Sequence, residues 1–192
     1  MIKITVKGTR TISATELAPP GQRPGTRLLN EARHGPLLVF MRVEALAEAS
    51  ERAIGADGYE VGGFLIGGLH EHDGQRYVDI RNHIPSLQAE SGRAELAFTN
   101  EAQREAFRIK DRDFPDELVL GWYHSHPRYG VFLSGYDLFV HKQFFTEDWH
   151  VAVVIDPHAR PPRRDAGVFL WQGEQISKPY DLAVYRGDLE LG

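Results

Sequence analysis

Two histidines stand one residue apart at the end of an apolar run, in the segment His124-Ser125-His126-Pro127, and Ser134 and Asp137 follow shortly after. Imidazole and carboxylate groups are ordinary zinc ligands, and two histidines with one aspartate leave a fourth tetrahedral position for water. Bound zinc lowers the pKa of such a water towards ~7, so that hydroxide exists at neutral pH. The pattern is therefore typical of an open, hydrolytic metal site.

The elements around these residues are predicted from their spacing. Residues 118–123 form an apolar run that predicts a strand, in which alternate side chains point to the same side. We therefore expect one shared face for Leu118, Leu120, Trp122, His124 and His126. Asp137 would come from the first turn of a helix that begins at Ser134.

Other interpretations of the same residues stay open. The segment from Ser134 to Asp137 is also an ordinary helix start, with serine as N-cap and aspartate in the first turn. The two histidines alone could be structural. A second pair, His70 and His72, lies beside the predicted turn at residues 73–74 and is expected to be exposed. The remaining histidines are isolated and receive no ligand role: His34, His83, His141, His150 and His158.

The chain has 192 residues, no cysteine and a formal net charge of −5. The length suits one domain, and without cysteine any metal must rest on histidine, aspartate and glutamate. The mild negative charge argues against nucleic acid as a partner. Residues 1–7 lack the apolar core of a signal peptide, and no run approaches the ~20 apolar residues of a membrane span. We therefore expect a cytoplasmic protein without a membrane partner.

Periodicity predicts a mixture of strands and helices. Strands are expected at residues 2–6, 11–17, 37–40, 59–68, 77–84, 118–123, 149–156, 167–171 and 180–185, and helices at 43–54, 99–111 and 134–145. The apparent hairpins argue against a purely parallel sheet, so we predict an α/β single domain with a mixed, curved β-sheet sandwiched by helices. Residues 1–36 would be an N-terminal strand or hairpin with a Pro/Gly-rich connector, and residues 37–192 the main domain.

The spacing from His124 and His126 to Ser134 and Asp137 resembles the JAMM motif of the MPN-plus (JAB) zinc proteases. Upstream, the glycine-rich segment that starts at Glu60 is similar to the one that carries this family's catalytic glutamate. The resemblance spans roughly residues 40–171 and leaves the N-terminal segment uncovered. It implies the cytidine-deaminase-like MPN fold and makes residues 37–192 the catalytic domain.

The resemblance also implies a role for each site residue. His124, His126 and Asp137 would hold one zinc ion per chain. Glu60 would be the general base that takes a proton from the attacking water and delivers it to the leaving amine. Ser134 would hydrogen-bond the developing oxyanion.

Members of this family cleave peptide or isopeptide bonds after the C-terminal glycine of ubiquitin or a ubiquitin-like protein. Relatives specific for ubiquitin chains carry insertions where residues 85–98 and 157–165 are short here. This favours a compact prokaryotic member whose partner is a ubiquitin-like or sulfur-carrier-like protein, with conjugation-pathway enzymes as further candidates. Tyr129, Val131 and Phe132 could line a channel for the partner's tail, or could equally be packing residues.

Two alternative functions belong to other classes. Family members that have lost metal ligands serve as non-catalytic scaffolds, but no ligand is missing here, which favours an enzyme. Two histidines and one carboxylate also form the facial triad of non-heme iron oxygenases. Those enzymes usually take their second histidine from a distant strand, which argues against this alternative.

Overall fold

The computed structural model describes residues 12–30, 36–88, 99–160 and 165–187. Within these ranges the chain forms ten strands and three helices. The helices are α1 (Val43–Gly55), α2 (Asn100–Asp113) and α3 (Gly135–Phe144). The strands are β1 (Thr15–Glu16), β2 (Arg27–Leu28), β3 (Leu38–Arg42), β4 (Val61–His72), β5 (Gln75–Gln88), β6 (Leu118–Ser125), β7 (Val151–Ile155), β8 (Ala166–Gln172), β9 (Gln175–Ile176) and β10 (Ala183–Arg186).

The strands form one mixed sheet in the order β2-β10-β3-β5-β4-β6-β7-β8-β9, and β1 pairs in parallel with β4. Antiparallel pairs join β4 to β5 and β6, whereas β3 with β5 and β6 with β7 are parallel. The predicted fold class, a mixed and curved α/β single domain, is confirmed. None of the helices in the described ranges combines the length and apolar character needed to cross a membrane.

Two apolar cores lie on opposite sides of the central strands. The first packs Ala45 and Ala49 of α1 against residues such as Val153. The second packs Ala106 of α2 and Val140 of α3 against other members of the same strands, including Trp122 and Val154. Strands that are buried on both faces are apolar throughout rather than alternating, which explains the continuous apolar runs of β4 and β7.

Local sequence signals predicted most of these elements. The helix expected at residues 43–54 is α1, and the two helices expected downstream are α2 and α3. Thr99 caps α2 by accepting a hydrogen bond from the backbone N–H of Ala102 at 3.1 Å. Asp73 and Gly74 have φ values of 49° and 75°, so the predicted hairpin turn joins β4 to β5. β5 continues to Gln88, beyond the predicted strand end at residue 84, and residues 89–98 of the predicted loop lie outside the described residues.

The prediction that Leu118 and Leu120 share one face of β6 with Trp122 and the two histidines is wrong. Gly121 has a φ of 150°. The neighbouring residues Leu65 and Ile66 of β4 pair with Gly121 and Val119 of β6, so Leu120 is an extra residue that forms a β-bulge. Leu118 and Leu120 consequently pack into the first core, whereas Trp122 packs into the second. The ring of His124 stacks on that of Trp122, so the bulge decides which side of the sheet the histidine faces.

The described part of the N-terminal segment joins the main sheet. Of the two strands predicted there, the one expected at residues 11–17 is the short β1, and the one at residues 2–6 lies outside the described residues. The expected exposure of His70 is wrong: the residue is only 7% exposed, and its Nδ1 lies 2.6 Å from Thr15 Oγ1 of β1. His72 is half-buried beside Glu16. The division of the chain at residue 36 stays a prediction.

Candidate metal centre

The end of β6 and the first turn of α3 bring His124, His126 and Asp137 together. All three residues are buried, and one ligand atom from each lies within 4.8 Å of the other two. The two Nε2 atoms are 3.1 Å apart. Asp137 Oδ2 lies 3.4 Å from the Nε2 of His124 and 3.7 Å from the Nε2 of His126. The three atoms face one common point.

These distances fit one small metal ion. Ligands placed 2.0–2.1 Å from a tetrahedral zinc stand about 3.3 Å from each other, within the range spanned by the three separations here. The donor set is two imidazole nitrogens and one carboxylate oxygen, which suits zinc and leaves a coordination position open. The residues therefore fit the metal that the sequence motif implies.

A capping box at the start of α3 orients Asp137. Ser134 Oγ accepts a hydrogen bond from the backbone N–H of Asp137 at 3.2 Å, and the backbone N–H of Ser134 donates to Asp137 Oδ2 at 2.7 Å. That oxygen is the one that faces the two histidines. The sequence left helix capping and metal binding as alternatives for this segment, but the geometry is compatible with both at once.

Glu60 reaches the site from the residue just before β4. Its Oε1 lies 3.8 Å from His126 Nε2, and its side chain is 16% exposed. The backbone N–H of Val61 donates to Ser125 Oγ at 3.0 Å, and Gly62 pairs with His124 across the two strands. The pairing of β4 with β6 therefore places Glu60 beside His124 and His126, although they lie far apart in the sequence.

The two histidines are oriented by different neighbours. His124 stacks on Trp122 with ring centroids 4.6 Å apart, and the Trp122 indole N–H donates to His141 Nδ1 at 3.1 Å. The Nδ1 of His126 lies 3.2 Å from the carbonyl oxygen of Gly130. Because a carbonyl can only accept, this bond places the proton on Nδ1 and leaves the Nε2 lone pair for a metal. The sequence assigned no role to His141, since nothing local connects it with the site.

Burial and charge act on the three residues in different directions. Burial lowers the pKa of His124, against the attraction of Asp137. Burial would also lower the pKa of His126, but hydrogen bonding to Asp137 and the charge of Glu60 raise it overall. Burial would raise the pKa of Asp137, yet the two histidines and Ser134 hold that pKa far below its usual range. Asp137 is therefore an ionised carboxylate at neutral pH, as a metal ligand must be.

A cavity of about 140 Å³ opens onto these groups. Its lining residues are Glu60, His126, Tyr129, Phe132, Ser134, Tyr136 and Asp137. Tyr129 and Phe132 are 68% and 45% exposed at its mouth, whereas Val131 packs against the second core. Tyr136 was not predicted as a site residue, because an aromatic residue in a first helical turn does not by itself indicate a binding role.

Comparison with known proteins identifies the family of this chain. Residues 36–148 match the family model described as JAB1/Mov34/MPN/PAD-1 ubiquitin protease. The chain belongs to this family. A solution structure of a Desulfitobacterium hafniense protein has a similar fold, with a TM-score of 0.56 and 17% identity over 79% of this chain and 95% of that one.

Three relatives show how far the likeness extends. The NAD(+) hydrolase TcpA of a Theionarchaea archaeon is 32% identical over 59% of this chain and 32% of its own length. COP9 signalosome complex subunit 5 of Caenorhabditis elegans is 53% identical over 38% of this chain and 20% of its own. The 26S proteasome non-ATPase regulatory subunit 14 of Dictyostelium discoideum is 34% identical over 51% of this chain and 31% of its own. The chain thus spans about a third or less of these relatives.

Proposed function

We propose that this chain is a zinc-dependent peptidase or isopeptidase. It would hydrolyse the bond after the C-terminal glycine of a ubiquitin-like or sulfur-carrier-like protein. The observation that carries the proposal is the convergence of His124, His126 and Asp137 beside Glu60 at an open cavity. Membership of a family described as ubiquitin proteases supports the reaction class.

His124, His126 and Asp137 would hold the ion through Nε2, Nε2 and Oδ2. When bound, zinc supplies a Lewis acid for the scissile carbonyl and lowers the pKa of water. The chain's own part is to direct the lone pair of His126 Nε2 at the ion and to keep Asp137 ionised. The Nδ1–H of His126 donates to the Gly130 carbonyl, and the backbone N–H of Ser134 donates to Asp137 Oδ2.

Glu60 is the proposed general base and acid. Its carboxylate faces the cavity near His126, where it can take a proton from the attacking water and later deliver it to the leaving nitrogen.

Ser134 is the proposed oxyanion donor. In the capping box its Oγ acts as an acceptor, so the O–H group remains able to donate towards the cavity. A hydroxyl aimed at developing negative charge stabilises the tetrahedral intermediate more than the ground state.

The cavity is small. A space of about 140 Å³ is close to that of a cavity that holds one benzene molecule, so it admits a short stretch of extended chain but not a folded surface. An extended tail that ends in glycine meets this requirement. We propose that Tyr129 and Phe132 contact this tail, while Val131 supports their loop from beneath. The activity in the name of the archaeal relative is not transferred, because the match covers 32% of that protein.

The decisive experiment combines metal analysis with hydrolysis. Purified protein should contain about one zinc per chain, and it should cleave fusions or isopeptide conjugates of ubiquitin-like proteins until a chelator is added. Glu60→Gln should abolish cleavage while zinc stays bound. Glu117→Gln is the matched control, because Glu117 is 17% exposed against 16% for Glu60 but pairs with Arg81 instead.

Each alternative has its own outcome. Iron in place of zinc after purification with both metals would favour an oxygenase. Binding of a ubiquitin-like protein without cleavage, in a zinc-loaded sample, would favour a scaffold. Undiminished cleavage by Glu60→Gln would overturn the assigned mechanism.

A further inference from the structure

A buried carboxylate outside the proposed ligand set holds the loop behind the metal centre. Asp156 follows β7 directly and is 1% exposed. Its Oδ1 accepts hydrogen bonds from the backbone N–H groups of Arg128 at 3.0 Å and His158 at 3.1 Å. Its Oδ2 accepts one from the backbone N–H of Gly130 at 3.0 Å. Three backbone donors thus converge on one charged side chain.

The loop that Asp156 holds has an unusual conformation. Arg128 and Gly130 have φ values of 71° and 87°, in the left-handed region. A non-glycine residue is strained in this region and keeps the conformation only where its surroundings impose it. The backbone N–H of Arg128 is one of the groups bound by Asp156, so the carboxylate stabilises this conformation directly.

The loop in turn fixes the proton of a proposed ligand. The same Gly130 that donates its N–H to Asp156 presents its carbonyl oxygen 3.2 Å from His126 Nδ1. The backbone N–H of His126 donates to the carbonyl of Ile155, the residue before Asp156, at 2.8 Å. The main chain of His126 and the carbonyl that selects its tautomer are therefore both held by the end of β7.

We propose that Asp156 is a positioning residue for the metal centre. By fixing the Gly130 carbonyl, it keeps the proton of His126 on Nδ1 and the lone pair of Nε2 directed at the ion. Groups that orient a ligating histidine in this way commonly contribute a factor of about 10–100 in metal affinity. The inference rests on the proposed metal centre but not on any particular substrate.

Replacing Asp156 by asparagine removes the hydrogen bond from Gly130 while keeping the packing of the side chain. Asp156→Asn has nearly the same shape, and its one oxygen can still accept from Arg128 and His158. Its amide NH₂ would meet the N–H of Gly130, donor against donor, so that bond is lost. Asp79→Asn is the matched control, because Asp79 is also fully buried, accepts from Arg23 and Tyr185, and is absent from the cavity lining.

Two readouts test the proposal on the full chain. The first is the set of imidazole nitrogen chemical shifts of His126 without metal, recorded at a pH above which these shifts no longer change, so that the ring is neutral. We expect one Nδ1–H tautomer in wild type and in Asp79→Asn, and a mixture in Asp156→Asn. The second is zinc affinity by competition with a chelator, which should fall about 10–100-fold in Asp156→Asn alone.

The proposal is wrong if Asp156→Asn keeps the pure Nδ1–H tautomer and wild-type zinc affinity. It is equally wrong if both variants lose affinity to the same extent, because general destabilisation would then explain the effect. Should Asp156→Asn not fold, Asp156→Glu keeps the charge but displaces the oxygens, and a mixed tautomer is expected there too. The tautomer is read without metal or substrate, so failure of the proposed hydrolysis is a separate result.

Discussion

Ser134 combines a structural contact with a proposed chemical one. Its Oγ accepts from the backbone of Asp137 to begin α3, while the residue also lines the cavity, where its O–H group is the proposed oxyanion donor. Serine is preferred at helix N-caps in any protein, so its presence before a helix says nothing about catalysis by itself. Substitutions can separate the two contributions because they depend on different atoms.

Replacing Ser134 by alanine and by glycine should give different stabilities but the same loss of rate. Alanine loses the cap at about 1 kcal/mol in the free energy of unfolding, whereas glycine, a tolerated cap, costs only a few tenths. Both lack the oxyanion donor, so both should lower kcat about 10²–10³-fold with zinc retained. Denaturant unfolding and steady-state kinetics measure the two effects. A kcat that follows stability across the pair would contradict the proposed donor role.

Gly130 and Gly135 offer a matched pair of glycine substitutions beside the site. A Cβ at either position would meet no atom within 4 Å, so space does not distinguish them. Only Gly130 has a positive φ, of 87°. Gly130→Ala should therefore cost about 1 kcal/mol and weaken zinc binding through the displaced carbonyl, whereas Gly135→Ala, inside α3, should be neutral or slightly stabilising. Equal effects on zinc affinity would show that the loop conformation does not matter.

The secondary structure elements differ in how well the sequence predicts them. α1, α2, α3 and the β4–β5 hairpin were predicted because their signals are local: apolar spacing, caps at Thr99 and Ser134, and the Asp-Gly turn. The burial of His70 was missed because it depends on pairing with β1, more than fifty positions away. The role of Asp156 was missed for the same reason, since two of its three donors, the N–H groups of Arg128 and Gly130, lie on a loop that only the folded chain brings to it.

The bulge in β6 is the element-scale feature that aims the histidines. A Cβ at Gly121 would stand 1.9 Å from the backbone oxygen of Val151 in β7, and the φ of 150° is itself unfavourable for other residues. Without this glycine, β6 and β7 could not keep the close pairing that carries His124 towards the ion. A strand glycine signals a bend in the sequence, but not which side chains it redirects.

Gly121→Ala should therefore unfold or strongly destabilise the protein. The backbone clash cannot be relieved by a rotamer change, so we expect a loss of more than about 3 kcal/mol and no zinc binding. Gly55→Ala is the control, because its Cβ would meet nothing within 4 Å at the end of α1. Denaturant unfolding and bound zinc report the result, and a stable Gly121→Ala with wild-type zinc content would refute the importance of the bulge.

At the scale of the whole molecule, one histidine lies inside the second apolar core, and a second, half-buried histidine, His150, packs against Phe145 at its edge. His141 is fully buried, accepts from the Trp122 indole and contacts the rings of Phe145 and Trp171. Burial lowers the pKa of His141 to about 3, and burial lowers the pKa of His150 to about 4. Both histidines therefore stay neutral at pH values well below 7.

This arrangement links stability to pH with a definite sign. An unfolded histidine has a pKa near 6.5, so below that pH the unfolded chain binds protons that the folded chain does not. The contribution of these two histidines to the free energy of unfolding therefore falls as the pH falls from about 6.5 towards 4, by up to about 1.4 kcal/mol per pH unit for each. Above about pH 7 neither group contributes to the slope.

His141→Gln should remove one of these protons while leaving an acceptor for the Trp122 indole. At neutral pH the variant is expected to be somewhat less stable, because glutamine fills the aromatic site less well. Between about pH 6.5 and 4 its stability should fall less steeply than that of wild type, by about 1.4 kcal/mol per pH unit, so the two curves converge. Denaturant unfolding at a series of pH values, with zinc treated identically in both proteins, measures the difference. Parallel curves would mean that His141 is protonated in the folded core, in conflict with its burial among Trp122, Phe145 and Trp171.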